Sequence, residues 1–294
     1  MEQQHEPIAI LGIGAMGHGM ATSALRARIP TTVWNRNPDT ARDLAQLGAN
    51  VAPTAAAAAR AAAIVVTMVT DADAVVSVIS HAGVLAALAP GAILVQMSTI
   101  GVAGIERVAA VVAQERPDVT LLDAPVSGSK DPAAQGQLTI FASGPRGTMP
   151  RVTPLFDALG QRTIWVGDVG TGTRLKLVAN TWLAFAAESV IASVALAREL
   201  GLDANGVLDA LEGNPLMSSW QEAKLHRIAK GEFSPQFALS LALKDVRLAE
   251  EAAGDRFGAL SCLADEWQRA VDLGLGHQDV TVVTRTLERE VQGK

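Results

Sequence analysis

Short apolar runs alternate with helical patterns along the first part of the chain. The runs are rich in branched residues and are bounded by Gly, Pro or polar residues, which is typical of buried strands. Helical patterns lie between most of them, so the pattern predicts βαβ units and a parallel sheet. The predicted strands are Ile8–Leu11, Thr31–Trp34, Ile64–Met68, Ile93–Met97, Val119–Leu122, Leu138–Ala142 and Thr163–Val166.

The pattern of hydrophobic positions changes after Gly172, beyond which no strand is predicted. The first helix of this half, Thr173–Leu200, is long and apolar. Further helices are predicted near Asp203–Leu211, Ser219–Lys230, Phe237–Ala253, Ala259–Leu273 and Asp279–Val291. We therefore predict an α/β chain with two domains. Residues 1–167 form a domain with a mostly parallel sheet, and residues 168–294 form an all-helical domain entered through the long helix.

Composition narrows the class of protein. The 294 residues are 49% hydrophobic and carry a net charge of −6, without a basic block, so a folded protein that does not bind nucleic acid is expected. The five His residues lack metal-ligand spacing, so no metal is expected. The one cysteine, Cys262, cannot form an intramolecular disulfide and is interpreted as a small buried hydrophobe.

One segment raises the question of a membrane. Leu177–Ala197 is apolar, but it contains Asn180 and Glu188, which favours a helix buried in a soluble protein. The N-terminus lacks the basic start and the small-residue cleavage site of a signal peptide. We therefore expect a cytoplasmic protein without a membrane partner.

A glycine loop follows the first predicted strand. Gly12-Ile13-Gly14-Ala15-Met16-Gly17 leads into a helix, and the next strand follows within about 30 residues. Glycines in this context let backbone N–H groups approach a pyrophosphate at the positive end of the helix dipole. The alternative is a glycine-rich turn of another α/β protein, but the complete βαβ unit favours a dinucleotide site.

The end of the second strand indicates which dinucleotide is bound. An NAD site usually has Asp or Glu there, whereas this chain has Asn35-Arg36-Asn37. A carboxylate repels a 2′-phosphate and a guanidinium pairs with it, so the sequence predicts NADP(H) rather than NAD(H). The alternative is that Arg36 is only a solvated surface residue. Asp39 is a poor substitute acid because it begins a helix.

Two later segments contain candidate substrate-binding and acid–base residues. The loop Asp123–Ser129 contains small residues, and the Ser127 hydroxyl and nearby N–H groups could hold a carboxylate. Lys176 lies near the start of the long apolar helix, where the helix dipole disfavours a cation and so favours proton release. Asn180 is four residues on, on the same helical face. The competing interpretation is a lysine that extends to the surface.

These motifs together resemble the β-hydroxyacid dehydrogenase family, which includes 3-hydroxyisobutyrate dehydrogenase. They are most similar to its glyoxylate/succinic semialdehyde reductase branch. The resemblance spans nearly the whole chain and rests on the segments already named and on Ser98-Thr99, Gly136-Gln137-Leu138, Phe237–Ala249 and Gly274–Asp279. It implies a Rossmann domain joined by a long helix to an all-α domain. The long apolar helix itself indicates surface buried against a second subunit, so we expect a homodimer or homotetramer.

The resemblance also implies roles for individual residues. Lys176 would be the general acid–base residue for hydride transfer to or from a small carboxylate substrate. Ser127, Gly128 and Asn180 would bind that substrate. The cofactor would be bound by the glycine loop, by Asn35–Asn37 and by Met68, Val69, Thr99 and Lys244. Ser129-Lys130 replaces the second glycine of hydroxyisobutyrate enzymes, and the absence of tyrosine weakens transfer of the substrate pocket.

Two alternatives to this function remain. Imine reductases resemble the family in fold, but they usually carry Asp or Tyr where Lys176 stands. A catalytically inactive oligomeric scaffold is expected to lose the lysine, which this chain retains.

Overall fold

The computed structural model describes the chain from residue 5 to residue 291, without the side chains of residues 255 and 288–291. Contacts divide the chain into two compact units. The first runs up to Lys176 and the second begins at Leu177.

A six-stranded sheet forms the centre of the first unit. Its strands are β1 Ile8–Leu11, β2 Thr31–Trp34, β3 Asn50–Val51, β4 Ile64–Thr67, β5 Ile93–Gln96 and β6 Thr120–Asp123. All strand pairs are parallel, and the order is β3-β2-β1-β4-β5-β6. The chain moves outward from β1 to β3 and then returns to the other side of β1 with β4. Ligands of such sheets bind where the strand order reverses, outside the carboxyl ends of the strands.

Helices cover both faces of this sheet. On β1, Ile8 and Ile10 pack in one apolar cluster while Ala9 and Leu11 pack in another, because successive side chains of a strand point to opposite faces. All four are at most 1% exposed. The helices are α1 Ala15–Arg26, α2 Arg42–Gln46, α3 Ala55–Arg60, α4 Ala72–Val76, α5 Val84–Ala87, α6 Gly101–Glu115, α7 Lys130–Gln135 and α8 Met149–Leu159.

A second, three-stranded sheet completes the first unit. Its strands are β7 Val126–Ser127, β8 Leu138–Ala142 and β9 Gly160–Trp165. β7 pairs antiparallel with β8, and β8 pairs parallel with β9. A single bridge between Asp123 and Ser143 links the end of β6 to the residue after β8. Apolar patterning located β8 and β9 but could not assign them to a separate sheet, because the two-residue strand β7 has no periodicity to detect.

The second unit is helical, as predicted. Its long helix α9, Thr171–Glu199, begins within the first unit. Among the described residues after Lys176, strand pairing is limited to a bridge between Ala238 and Asp279. The remaining helices are α10 Ala204–Leu211, α11 Ser219–Ala229, α12 Leu239–Ala253, α13 Gly258–Ala270 and α14 Thr284–Val291.

A buried ion pair lies in the second unit. Lys224 Nζ is 2.8 Å from both carboxylate oxygens of Asp279, and the side chains are 1% and 0% exposed. Asp279 also accepts hydrogen bonds from the N–H groups of Gln236 and Phe237. Because every charge here has partners, the desolvation cost is offset and the chain before α12 is fixed.

Helices α9 and α13 bear on two expectations about exposure. Helix α9 is long and apolar enough to cross a membrane, with 39% of its apolar window buried, but one such helix is weak evidence because core helices pass the same test. Cys262 is exposed, so its interpretation as a buried residue was wrong. It lies on the outer face of α13, whose inner face carries Leu263, Ala264 and Trp267.

Candidate active site

Two of the three loop glycines are required by the packing of the loop itself. Gly12 has a φ of +103°, and a Cβ there would overlap the carbonyl oxygen of Met68. A Cβ on Gly17 would overlap the carbonyl oxygen of Gly12. Side chains at these positions would therefore collide with backbone, and the glycines permit the tight turn from β1 into α1.

Gly14 has a different environment, because a Cβ there would meet no atom within 4 Å. It is the N-cap of α1, makes no side-chain cap, and no acidic residue follows in the first turn. The N–H groups at this helix start are therefore available to a ligand, with the positive end of the dipole behind them. A pyrophosphate fits this cradle. Of the intervening residues, Ile13 is buried, Ala15 is exposed and Met16 is half-buried.

Asn35 connects the glycine loop to the end of β2. Its Oδ1 accepts a hydrogen bond from the N–H of Ile13 at 3.0 Å. Its Nδ2 donates to Thr40 Oγ1 at 2.8 Å and to the carbonyl of Asn37 at 3.1 Å. Both ends of the amide are engaged by the protein, so Asn35 holds the shape of the loop where an NAD site would have a carboxylate.

Arg36 is exposed beside this junction, and its guanidinium forms no ion pair within the described residues. The nearest acid along the chain, Asp39, is held by Arg42 at 2.7 Å. Asn37 accepts a hydrogen bond from the N–H of Asp39 and so caps the short helix Pro38–Ala41. The end of β2 therefore offers a guanidinium and no uncommitted carboxylate.

The residues that follow β4 and β5 lie next to the glycine loop. Met68 donates its N–H to the carbonyl of Leu11, which places it against the glycine loop. The N–H of Val69 donates to Ser98 Oγ at 2.8 Å. The side chain of Gln96 pairs with the backbone of Ser98, so the turn that presents the half-buried Thr99 is fixed from within the sheet.

Ser127 and Gly128 lie at the end of β7. The Ser127 side chain is half-buried, and its hydroxyl makes no hydrogen bond with the described part of the chain. Gly128 has a φ of +137°, and a Cβ would lie 2.7 Å from Leu138 Cδ2. The glycine therefore lets the chain turn into α7 while an uncommitted hydroxyl stands beside the turn.

The start of α9 carries Lys176, which is 7% exposed. The carboxylate of Asp123 accepts the Thr173 N–H at Oδ2 and the Thr173 hydroxyl at Oδ1, both at 2.8 Å. Ser143 Oγ accepts the N–H of Gly172 at 3.0 Å. Burial raises the pKa of Asp123, although hydrogen bonds from Thr173 and Ser143 oppose that shift. The lysine is therefore a buried side chain on a rigidly held helix start.

The second unit places Asn180 beside an acid that the sequence interpretation missed. Asn180 Nδ2 donates a 2.5 Å hydrogen bond to Asp245 Oδ2, and both residues are 7% exposed. Lys244 Nζ lies 2.8 Å from Asp245 Oδ1. The amide of Asn180 thus has a fixed orientation, and Asp245 connects two of the predicted site residues.

The predicted residues fall into three groups. Ser127 and Gly128 lie at the end of β7, and Lys176 lies at the start of α9. The glycine loop, Asn35–Asn37, Met68, Val69 and Thr99 lie at one edge of the six-stranded sheet. Asn180 and Lys244 share Asp245 in the second unit. Asp123 and Asp245 were missed as individual residues, although both belong to segments that the sequence had selected. The sequence feature that could have identified both is an acidic residue within or beside an apolar run, where an unpaired charge would be costly.

Comparison with known proteins identifies the family. Residues 7–167 match the model for the NAD binding domain of 6-phosphogluconate dehydrogenase. Residues 170–287 match the model described as NAD-binding of NADP-dependent 3-hydroxyisobutyrate dehydrogenase. Glyoxylate/succinic semialdehyde reductase 1 from Arabidopsis thaliana is 30% identical over 286 residues, which are 96% of this chain and 98% of the relative.

Solved structures agree with these matches. A 3-hydroxyisobutyrate dehydrogenase from Salmonella typhimurium has a TM-score of 0.85 at 27% identity, covering 96% of this chain and 99% of its own. An imine reductase from Myxococcus stipitatus in complex with NADP+ has a TM-score of 0.65 at 23% identity, covering 95% and 99%, and shares the fold alone.

The matches and the glycine cradle agree on a nicotinamide cofactor and on oxidoreductase chemistry at a hydroxyl or carbonyl carbon. They confirm the resemblance and the fold class inferred from the residues. This chain is an NAD(P)-dependent oxidoreductase and belongs to the β-hydroxyacid dehydrogenase family.

Proposed function

We propose that the protein is an NADP(H)-dependent enzyme that interconverts a small aldehyde or keto acid and the corresponding hydroxy acid, with Lys176 as general acid–base residue. The substrate class is that of glyoxylate, succinic semialdehyde and β-hydroxy acids. This substrate class is supported by the similarity of the chain to the Arabidopsis glyoxylate/succinic semialdehyde reductase and to the Salmonella 3-hydroxyisobutyrate dehydrogenase.

The observation that carries the proposal is the burial of Lys176 on the anchored start of α9. A lysine that only extended to solvent would expose its ammonium group, whereas this residue is 7% exposed. Taking an ammonium group out of water is costly, so this burial argues against a lysine that only reaches for solvent. On the same helix face, four residues on, Asn180 is also buried. A proton donor, Lys176, and an oriented amide, Asn180, therefore lie on one face of α9.

The chemistry needs one proton for each hydride. The nicotinamide, when bound, supplies the hydride for reduction and accepts it in oxidation. In reduction the Lys176 ammonium donates a proton to the carbonyl oxygen while the carbon gains the hydride, and the product is the hydroxyl group. In oxidation the neutral amine takes the hydroxyl proton. The Ser127 hydroxyl and the Gly128 N–H bind the substrate carboxylate, and the Asn180 amide orients the reacting oxygen.

NADP(H) is proposed over NAD(H) because of Arg36. Its exposed guanidinium stands at the end of β2, next to the Asn35 amide that replaces the usual acid. A 2′-phosphate there gains a charge-assisted contact, whereas a 2′-hydroxyl finds no carboxylate partner. Thr99 and Lys244 are proposed to contact the cofactor as well.

A second copy of the chain is the proposed partner, in a homodimer or homotetramer. Large apolar side chains are exposed along α9: Val178 by 67%, Trp182 by 81%, Phe185 by 40% and Leu196 by 61%. The spacing of 4, 7 and 18 residues keeps them on one helical face. A monomeric mass in solution would refute this. A cytoplasmic location is also proposed, and the single cysteine suits a reducing compartment.

A substrate panel tests the proposal. Glyoxylate, succinic semialdehyde, 3-hydroxyisobutyrate and a cyclic imine would each be tested with both cofactors, following NAD(P)H absorbance. We expect turnover of an acid substrate and a higher kcat/KM with the phosphorylated cofactor. Turnover of the imine alone would favour the imine reductase alternative. A folded protein that binds NADPH but turns over none of them would favour the inactive scaffold.

A further inference from the structure

Side chains from the sheets hold N–H groups in the first turn of α9, where the preceding residue, Gly170, has no side chain to act as a cap. An ordinary helix cap comes from the residue just before the helix. Here Asp123 from the end of β6 accepts the Thr173 N–H, and Ser143 from the end of β8 accepts the Gly172 N–H. We call Asp123, Ser143, Gly172 and Thr173 the helix-start anchor.

The anchor allows little movement. A Cβ on Gly172 would overlap the carbonyl oxygen of Phe141, so the helix start lies directly against β8. The backbones of Asp123 and Ser143 pair with each other at 3.0 and 2.8 Å. Ser143 Oγ also lies 3.0 Å from the carbonyl oxygen of Asp123. The anchor is thereby continuous with both sheets, so fraying of this helix end is suppressed.

Stability alone does not require a carboxylate here. Asp123 is fully buried, and a buried carboxylate costs more to desolvate than a neutral cap such as Ser or Thr. Both of its oxygens receive hydrogen bonds from one residue, Thr173. This two-point contact fixes the rotation of the helix about its axis as well as its position along it, which a one-point cap does not.

Lys176 lies three residues after Thr173, on the same helical face and about 4.5 Å further along the axis. Any rotation or slip of the first turn therefore moves the lysine by a similar amount. A displacement of 1 Å at a reacting group can cost about 100-fold in rate. The negative charge of Asp123 also opposes the helix dipole at the end where the ammonium ion must be held.

We propose that Asp123 is a positioning residue of the reaction: its two-point contact with Thr173 fixes the first turn of α9 and thereby places the Lys176 ammonium group for proton transfer. This inference rests on the proposed function of Lys176. It assigns a role to a carboxylate that touches neither substrate nor cofactor.

Thr173→Val is the variant that tests it, with Thr173→Ser as the matched control. Asp123→Ala would remove both carboxylate acceptors at once and endanger the fold itself. Thr173→Val removes only the hydroxyl contact with Oδ1 and keeps the shape of the side chain, while Thr173→Ser keeps the contact. The readouts are the single-turnover rate of hydride transfer at saturating substrate, the Kd for NADPH and the Tm. Each variant is also made in a Lys176→Ala background.

We expect Thr173→Val to lower the hydride-transfer rate about 10-fold, with the Kd for NADPH unchanged and Thr173→Ser close to wild type. In the Lys176→Ala background the same substitution should cause no further loss, because its effect acts through the lysine. A wild-type rate for Thr173→Val, or an equal loss in both backgrounds, would overturn the positioning role while leaving Lys176 in place. A wild-type rate for Lys176→Ala alone would overturn the proposed function and this inference with it.

Discussion

The side-chain amide of Asn180 donates a 2.5 Å hydrogen bond to the buried carboxylate of Asp245. Asn180 comes from α9 and Asp245 from α12, so the contact joins two helices of the second unit. With one of its N–H groups committed, the amide keeps one orientation and presents its remaining polar atoms in a fixed direction. A substrate-binding role for Asn180 therefore depends on Asp245.

Asp245→Ala should lower kcat/KM about 100-fold, because the released Asn180 amide no longer orients the reacting oxygen. Asp245→Asn keeps an acceptor oxygen and should lose less. Steady-state kinetics would measure both, with exposed Asp265→Ala as the control on α13. Wild-type kcat/KM for Asp245→Ala would show that substrate turnover does not depend on the contact between Asp245 and Asn180.

Gly14→Ala should weaken NADPH binding about 10-fold while the Tm stays close to wild type. Its Cβ would enter the open space at the start of α1 and meet no protein atom, but it would obstruct an approaching pyrophosphate. Gly17→Ala is the contrasting variant, because its Cβ overlaps the Gly12 carbonyl and should destabilise the fold. Fluorescence titration and thermal melting separate the two effects. Undiminished affinity in Gly14→Ala would place the phosphates elsewhere.

Arg36→Asp should raise the Kd for NADPH about 100-fold and change that for NADH little, because a carboxylate repels the 2′-phosphate. Arg60→Asp, on the exposed side of α3, alters net charge equally and serves as the control. Titration of each variant with both cofactors measures the selectivity. A parallel loss for both cofactors would contradict the 2′-phosphate role.

Glu188 predicts a pH dependence of stability. Burial and the Glu266 carboxylate raise its pKa to about 7, while Trp267 Nε1 donates to it at 3.0 Å. The native state therefore holds a proton that the unfolded chain releases near pH 4.5. The resulting stabilisation is complete below pH 4.5 and is lost as the pH rises to about 7.

Glu188→Gln should abolish this dependence. Between about pH 5 and pH 8, wild type should lose about 1.5 kcal/mol more unfolding free energy than the variant, after solvent screening of the partly exposed side chain. Urea unfolding at both pH values would measure the difference, and Glu251→Gln on the exposed face of α12 should behave as wild type. Equal pH dependence in Glu188→Gln and wild type would show that Glu188 is ionised in the native state.

Local patterning predicted most of the fold. Four-residue strands such as β1 and β2 were located to the residue because buried β-branched and apolar side chains form an unbroken run between polar turns. The same reasoning missed β3 and β7, each two residues long, since strands that short have no period. Cys262 was misassigned because a small residue next to an apolar helical stripe has no distinct pattern of its own.

The candidate site could be predicted only where a motif is local. The glycine loop is one continuous segment, so its packing demands are visible in the sequence. Asp123 and Thr173 are 50 residues apart, and Asn180 and Asp245 are 65 apart. Those pairs depend on tertiary contacts that no spacing rule predicts. Each missed acid nevertheless stood within or beside a run that should not hold an unpaired charge.

Single-turnover kinetics of Lys176→Ala test whether this lysine donates the proton during hydride transfer. With saturating NADPH and the best substrate of the panel, the rate of hydride transfer should fall about 1,000-fold, because general acid catalysis by the lysine is lost. The Kd for NADPH should stay at its wild-type value, and Lys230→Ala, an exposed lysine after α11, should retain the full rate. A wild-type rate of hydride transfer in Lys176→Ala would show that Lys176 is not the proton donor.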